Sequence, residues 1–200
     1  MRRAVTPDQS PQSRHRIRRG VGVTVLFAVV AVSFATTVAP KELRAQAARG
    51  DMFTGRYVLD TARSDRIEQR VEATVRGMNF IKRPIARKRL LRVNQPAPMF
   101  ELRFHADTGR LVVPSESPIP LAFAREDLPW TNADGERFAV STYVTSGVTR
   151  LLLIKFEAED GERTNMYRLD DDGRGLSLTV TVESPQLDTP LRYTLRYRRD

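Results

Sequence analysis

From Pro98 onward, apolar and polar residues alternate with a period of two. Phe100, Leu102 and Phe104 are interleaved with Glu101, Arg103 and His105, and Phe138, Val140, Thr142 and Val144 with Ala139, Ser141, Tyr143 and Thr145. The pattern is sharpest near the C-terminus. There Leu176, Leu178, Val180 and Val182 alternate with Ser177, Thr179, Thr181 and Glu183, and Leu191, Tyr193, Leu195 and Tyr197 with Arg192, Thr194, Arg196 and Arg198. Successive side chains of a strand point to opposite faces, so each run predicts a strand with one dry and one wet face. Hairpin signals fall between the runs: Asp107, Thr108 and Gly109; Asn132 to Gly135; Ser146 and Gly147; Glu159 to Gly161; Asp171 to Gly173; and the stretch 184–189. Connections this short make sequential strands antiparallel neighbours.

Before Pro98 the period changes. Gly55, Arg56, Tyr57 and Val58 begin a short first strand over 55–60. Ile67, Val71, Val75 and Met78 then recur at steps of four, four and three, one face of an amphipathic helix that Ser64 or Asp65 would cap, with Glu68 in capping-box spacing. Pro84 opens a second, shorter helix over 85–92, in the first turn where its missing N–H does no harm. The prediction is a mainly β chain: about nine strands in a single antiparallel up-and-down β-barrel, with a helical insertion at about 62–92 after the first strand. A long meander closes because twist accumulates and open edges stay unpaired. A two-sheet sandwich competes, but it usually needs Greek-key crossings, which sequential hairpins do not supply. The stretch 110–130, crowded with Pro114, Pro118, Pro120 and Pro129, is the hardest to assign to strands.

Charge changes the picture at the N-terminus. The first 19 residues carry six Arg against Asp8, and residues 20–39 carry no charge, which is the layout of a signal peptide or of a membrane anchor. Ala45 and Ala47 suit cleavage after Ala47, so the expected organisation is a leader over 1–47 and a barrel domain over 48–200. Either outcome exports the domain, to the periplasm or beyond, or leaves it anchored in the inner membrane and facing outward. Without residues 1–47 the net charge falls from +9 to +3, so the basic character is mostly the leader's and a nucleic-acid partner is not expected. The basic residues that remain are concentrated: 62–92 carries a net +7 and the rest of the domain −4. The chain has no Cys, which removes disulfides, thiol nucleophiles and cysteine-held metals.

Gly55-Arg56-Tyr57, a meander after it and the closing run Arg192-Tyr193-Thr194-Leu195-Arg196-Tyr197-Arg198 together resemble the lipocalin-like (calycin) barrels, in particular their exported bacterial members. The resemblance covers roughly 53–199. It implies that Tyr57 stands where these proteins carry the Trp of a Gly-x-Trp motif, and that an Arg late in the last strand, Arg196 or Arg198, packs over it. The helices after the first strand look like the lid of the fatty-acid-binding branch. That branch holds its ligand's carboxylate with Arg-x-Tyr in the closing strand, a tripeptide this chain lacks.

The candidate site follows from the dry faces. Phe100, Phe104, Phe138, Val140, Leu178, Val180, Tyr193, Leu195 and Tyr197 would line a barrel cavity for an apolar or amphipathic small molecule, bound without turnover. If instead they fill the interior, the chain is a solid-cored envelope module with a structural or partner-binding role. Lys82, Arg83, Arg87, Lys88 and Arg89 are candidates for contact with an anionic membrane surface. No catalytic residue, metal site or cofactor is expected: His105 sits on a wet face with no oriented partner, and Asp170, Asp171, Asp172 and Gly173 read as a turn rather than a calcium loop. The only Trp, Trp130, is expected in a loop that packs over a barrel end.

Overall fold

The computed structural model describes residues 50–200 apart from 107, 124–126 and 147–148. The predicted leader, 1–47, lies outside the described residues. Ten strands form one antiparallel sheet: β1 (Gly55–Leu59), β2 (Met99–His105), β3 (Thr108–Val112), β4 (Ile119–Ala122), β5 (Leu128–Thr131), β6 (Arg137–Ser146), β7 (Arg150–Ala158), β8 (Gly161–Leu169), β9 (Gly175–Glu183) and β10 (Leu191–Arg199). Each pairs with its sequence neighbour except β4 with β5, and β1 pairs with β10, so the order β4-β3-β2-β1-β10-β9-β8-β7-β6-β5 is an up-and-down barrel open at one seam. A lone parallel bridge, Phe123 to Thr142, crosses that seam. The two helices α1 (Ile67–Val75) and α2 (Arg83–Val93) follow β1.

Several expectations are corrected. The described residues hold ten strands where about nine are expected, because the proline-rich stretch holds both β4 and β5, with Pro120 and Pro129 inside them. An edge strand tolerates proline since one row of its backbone groups has no partner to lose, and β4 and β5 are the sheet's two edges. Trp130 therefore lies in β5 rather than in a loop. Between β2 and β3 the turn falls one step early. Ala106 takes the left-handed φ of 53°, and Thr108 and Gly109 already belong to β3. Gly109 serves close approach instead: a Cβ there would come within 2.5 Å of the Phe104 ring and 2.8 Å of the Arg103 carbonyl.

Neither Ser64 nor Asp65 caps α1. Both side chains are spent on β10, where β1 has stopped pairing. Asp65 Oδ2 accepts the Thr194 amide at 2.8 Å, and Ser64 Oγ accepts the Arg196 amide at 2.9 Å. Backbone bonds from Asp60 to Arg196 and from Asp65 to Thr194 complete the seal, which carries the chain from β1 to the helices without leaving β10 bare. Burial by itself would raise the Asp65 carboxyl, but the Arg70 hydrogen bond, the Thr194 amide and the Arg70 charge outweigh it and hold it below the ordinary carboxylate range. A lowered folded value means that the stabilisation is complete above the unfolded value of about 4 and is lost as pH falls through the folded one. Asp65→Asn is thus expected to cost about 1–2 kcal/mol at pH 7, and urea midpoints of variant and wild type should converge as pH falls through the folded value.

The dry faces meet in one core. Ile67, Val71 and Val75 are buried along α1 as the helical spacing requires, Met78 is buried in the turn after it, and Leu90 is the buried residue of α2. At one end of the barrel Phe53, Phe104 and Phe123 pack into a plug, the last two stacked at 5.4 Å and 14°. The other end lies under α2.

Candidate functional site

A cavity of about 1150 Å³ lies between α2 and the strands, walled by Phe100, Phe138, Leu178 and Leu195 and roofed by Ala86 and Leu90. Of the nine residues expected to line it, Phe100, Phe138, Leu178, Tyr193, Leu195 and Tyr197 do so. Phe104, Val140 and Val180 do not, which corrects that expectation. Phe104 belongs to the plug, Val140 is buried in the core, and Val180 is covered between its register partners Asn165 and Tyr193. Inward orientation alone does not bring a side chain to open space: Val180 is covered although Leu178 and Val182, on either side of it in the same row, reach the cavity.

One side of the cavity is polar, and no hydrophobic alternation announces it. Along β8, Arg163, Asn165, Tyr167 and Leu169 share the inward face, so the row changes from charged to apolar as it descends into the core. Arg163 Nε donates to Asn165 Oδ1 at 2.9 Å. Its Nη1 reaches Val93 O and Asn94 Oδ1, both at 3.3 Å, and its Nη2 reaches the Tyr193 hydroxyl at 3.4 Å. Asn94, fully buried at the end of α2, also accepts from the Tyr193 hydroxyl at 3.1 Å and donates back to Leu90 O at 2.9 Å. The last turn of the lid is thereby tied to β8 and β10, with a cation placed where the helix's unpaired carbonyls favour one. No carboxylate among the described residues pairs with Arg163.

Two phenols complete this pole. Tyr167 accepts from Asn165 Nδ2 at 3.3 Å, and no acceptor among the described residues takes its own proton. Burial pushes it up to about 12, against smaller lowering effects of the Asn165 bond and the Arg163 charge. Tyr197 donates to Ala97 O at 3.1 Å and is raised too, first by burial and then by its phenol neighbours. Both keep their protons across the physiological range: Tyr197 gives its own to Ala97 O, and that of Tyr167 has no acceptor among the described residues.

Trp130 stands at the cavity's edge, its ring 5.5 Å from Phe138 and 5.9 Å from Phe156, with Nε1 donating to Ser117. The five basic candidates on the helical insertion divide. Arg83 closes the C-terminus of α1 by donating to Arg76 O and Met78 O. Arg87 pairs with Glu72, and Arg89 reaches Asp160 at 2.7 Å and Glu136 at 3.8 Å, bracing α2 against two turns of the barrel. Lys82 and Lys88 are exposed and make no ion pair among the described residues.

The fold is that of the lipocalin-like barrels. An abundant heat soluble (SAHS) protein from Ramazzottius varieornatus is similar to it with a TM-score of 0.50 and 11% identity, over 74% of this chain and 96% of that one. Lipid binding protein 8 of Caenorhabditis elegans is similar at 0.49 and 12%, over 75% and 96%. A fatty acid binding protein of Schistosoma mansoni, solved with arachidonic acid, is similar at 0.47 and 15%, over 76% and 98%. No protein-family model and no curated protein sequence matches the chain.

Proposed function

We propose that the barrel binds one lipid-like amphipath, its chain among the apolar walls and its acidic or hydrogen-bond-accepting head at Arg163 and Tyr167, and releases it unchanged. The observation that carries this reading is a cavity with apolar walls in which Arg163, beside Asn165 and the Tyr193 hydroxyl, has no carboxylate partner among the described residues. Burying an alkyl chain is worth about 0.8 kcal/mol per CH₂, so the walls supply the affinity and the polar pole sets the orientation. No pair of groups at the pole has the proton-accepting partner that turnover would need. The same proposal places the barrel outside the cytoplasm, supported by the arginine-rich start and the uncharged run 20–39.

Titration of the full chain with a long-chain fatty acid is expected to change Trp130 emission to saturation at one equivalent, because this single Trp stands at the cavity's edge. Native mass spectrometry should show the matching one-to-one adduct. A chain that takes up neither fatty acid nor an apolar dye sinks the proposal.

A further inference from the structure

The turn between α1 and α2 exposes large apolar side chains that neither the core nor the cavity uses. Phe80, Ile81 and Ile85 are 77%, 64% and 71% exposed. The turn's own geometry does not require them: Asn79 Oδ1 accepts the Ile81 amide at 2.9 Å, and Arg83 holds the carbonyls of α1. Ile81 and Ile85 lie four positions apart, and Lys88 and Arg92 continue their face at steps of three and four. Arg76, Lys82, Lys88 and Arg92 are exposed and make no ion pair among the described residues. They are four of the ten basic residues of 62–92.

We propose that this hairpin docks on an anionic lipid surface, with Phe80, Ile81 and Ile85 entering the headgroup boundary and the four free cations meeting the phosphates. Isolated apolar side chains ringed by charge of one sign suit a fluid anionic surface, which has no fixed shape to complement. No helix among the described residues is long and apolar enough to span a bilayer, so the hairpin lies on the surface. The opposite face of α2 roofs the cavity with Ala86 and Leu90, so one helix contacts both the lipid surface and the binding site.

The uncharged run 20–39 can itself enter lipid, so the readout must be local. The chain has no Cys, which permits a single environment-sensitive fluorophore at Phe80→Cys, with Tyr143→Cys on the outer face of β6, 63% exposed, as reference. On vesicles of phosphatidylglycerol and phosphatidylcholine, the label at 80 should shift to the blue and be quenched by doxyl lipids, while the label at 143 stays in water. Lys82→Gln with Lys88→Gln should weaken the response at 80 by roughly tenfold. A label at 80 that stays in water on bound chain overturns the proposal. So does one that responds equally to pure phosphatidylcholine, or that responds to an acidic protein but to neither vesicle. None of these measurements needs a ligand in the cavity, so docking and ligand binding stand or fall separately.

Discussion

Tyr57→Ala is expected to destabilise the barrel by about 3–5 kcal/mol, the range for truncating a fully buried aromatic. Tyr57 has no exposed surface, and its ring stacks on Phe100 at 5.2 Å. Its hydroxyl donates to Phe53 O at 2.9 Å and accepts from Arg199 Nη2 at 2.8 Å. That guanidinium also donates to Met52 O at 2.6 Å and Thr54 O at 3.1 Å, and lies 5.4 Å from the ring centroid. Burial raises the phenol and outweighs the opposing pull of Arg199, so the hydroxyl stays protonated and keeps its donor role. The alanine variant loses packing at the β1–β2–β10 junction, removes one of the three acceptors around Arg199 Nη2 and leaves Phe53 O without the Tyr57 donor. Tyr57→Phe keeps the ring and should cost only about 1–2 kcal/mol. Urea unfolding with unchanged slope checks both values. An alanine variant within 1 kcal/mol of wild type would mean that the clasp does not hold the barrel.

The identity of that arginine shows how much the sequence discloses. The resemblance pointed to an Arg over Tyr57 and left Arg196 and Arg198 as candidates, whereas Arg199 does the work. Strict alternation in β10 puts Arg196 and Arg198 on the wet side with Arg192, and carries the row of Tyr193, Leu195 and Tyr197 on to residue 199. The information was present in the period of two. The strands with long dry faces, β2, β6, β9 and β10, were legible for the same reason, as was the face of α1. β4 and β5 were not, because proline breaks the local signal while an edge position tolerates it.

Arg163 was harder to see. A search for alternating hydrophobics passes over β8, whose inward row contains a charge, an amide and a phenol before its first aliphatic. Counting back from Leu169 and Tyr167 by twos reaches Asn165 and Arg163, so a dry row that turns polar toward one end is the usable signal. The missing Arg-x-Tyr in β10 has a matching physical reason. In Arg192-Tyr193 and Arg196-Tyr197 the two residues are adjacent, and adjacent strand residues face opposite sides. The phenols of β10 point into the barrel, Arg192, Arg196 and Arg198 point out and Arg199 is held by Tyr57, so the cation beside those phenols comes from β8.

On that arrangement, Arg163→Gln is expected to weaken binding of a long-chain fatty acid by about 10–100-fold and to leave the fatty alcohol of equal length within about threefold. Three of the four hydrogen bonds made by the guanidinium are long, at 3.3–3.4 Å, so these donors can turn to a carboxylate at little cost. The fork geometry of Arg suits two carboxylate oxygens, and a charge-assisted pair inside a cavity is stronger than one in water. The neutral Tyr167 hydroxyl has a proton to give to the same head. Arg163→Lys keeps the charge and loses the fork, so it should fall between wild type and Gln. Arg163 also holds Val93 and Asn94 at the end of the lid, and any loosening of α2 would weaken acid and alcohol alike. Isothermal titration of both ligands against all three chains separates the two roles. A loss confined to the acid assigns Arg163 to the ligand's head, whereas equal losses would make it a latch for α2 and move the head elsewhere in the cavity.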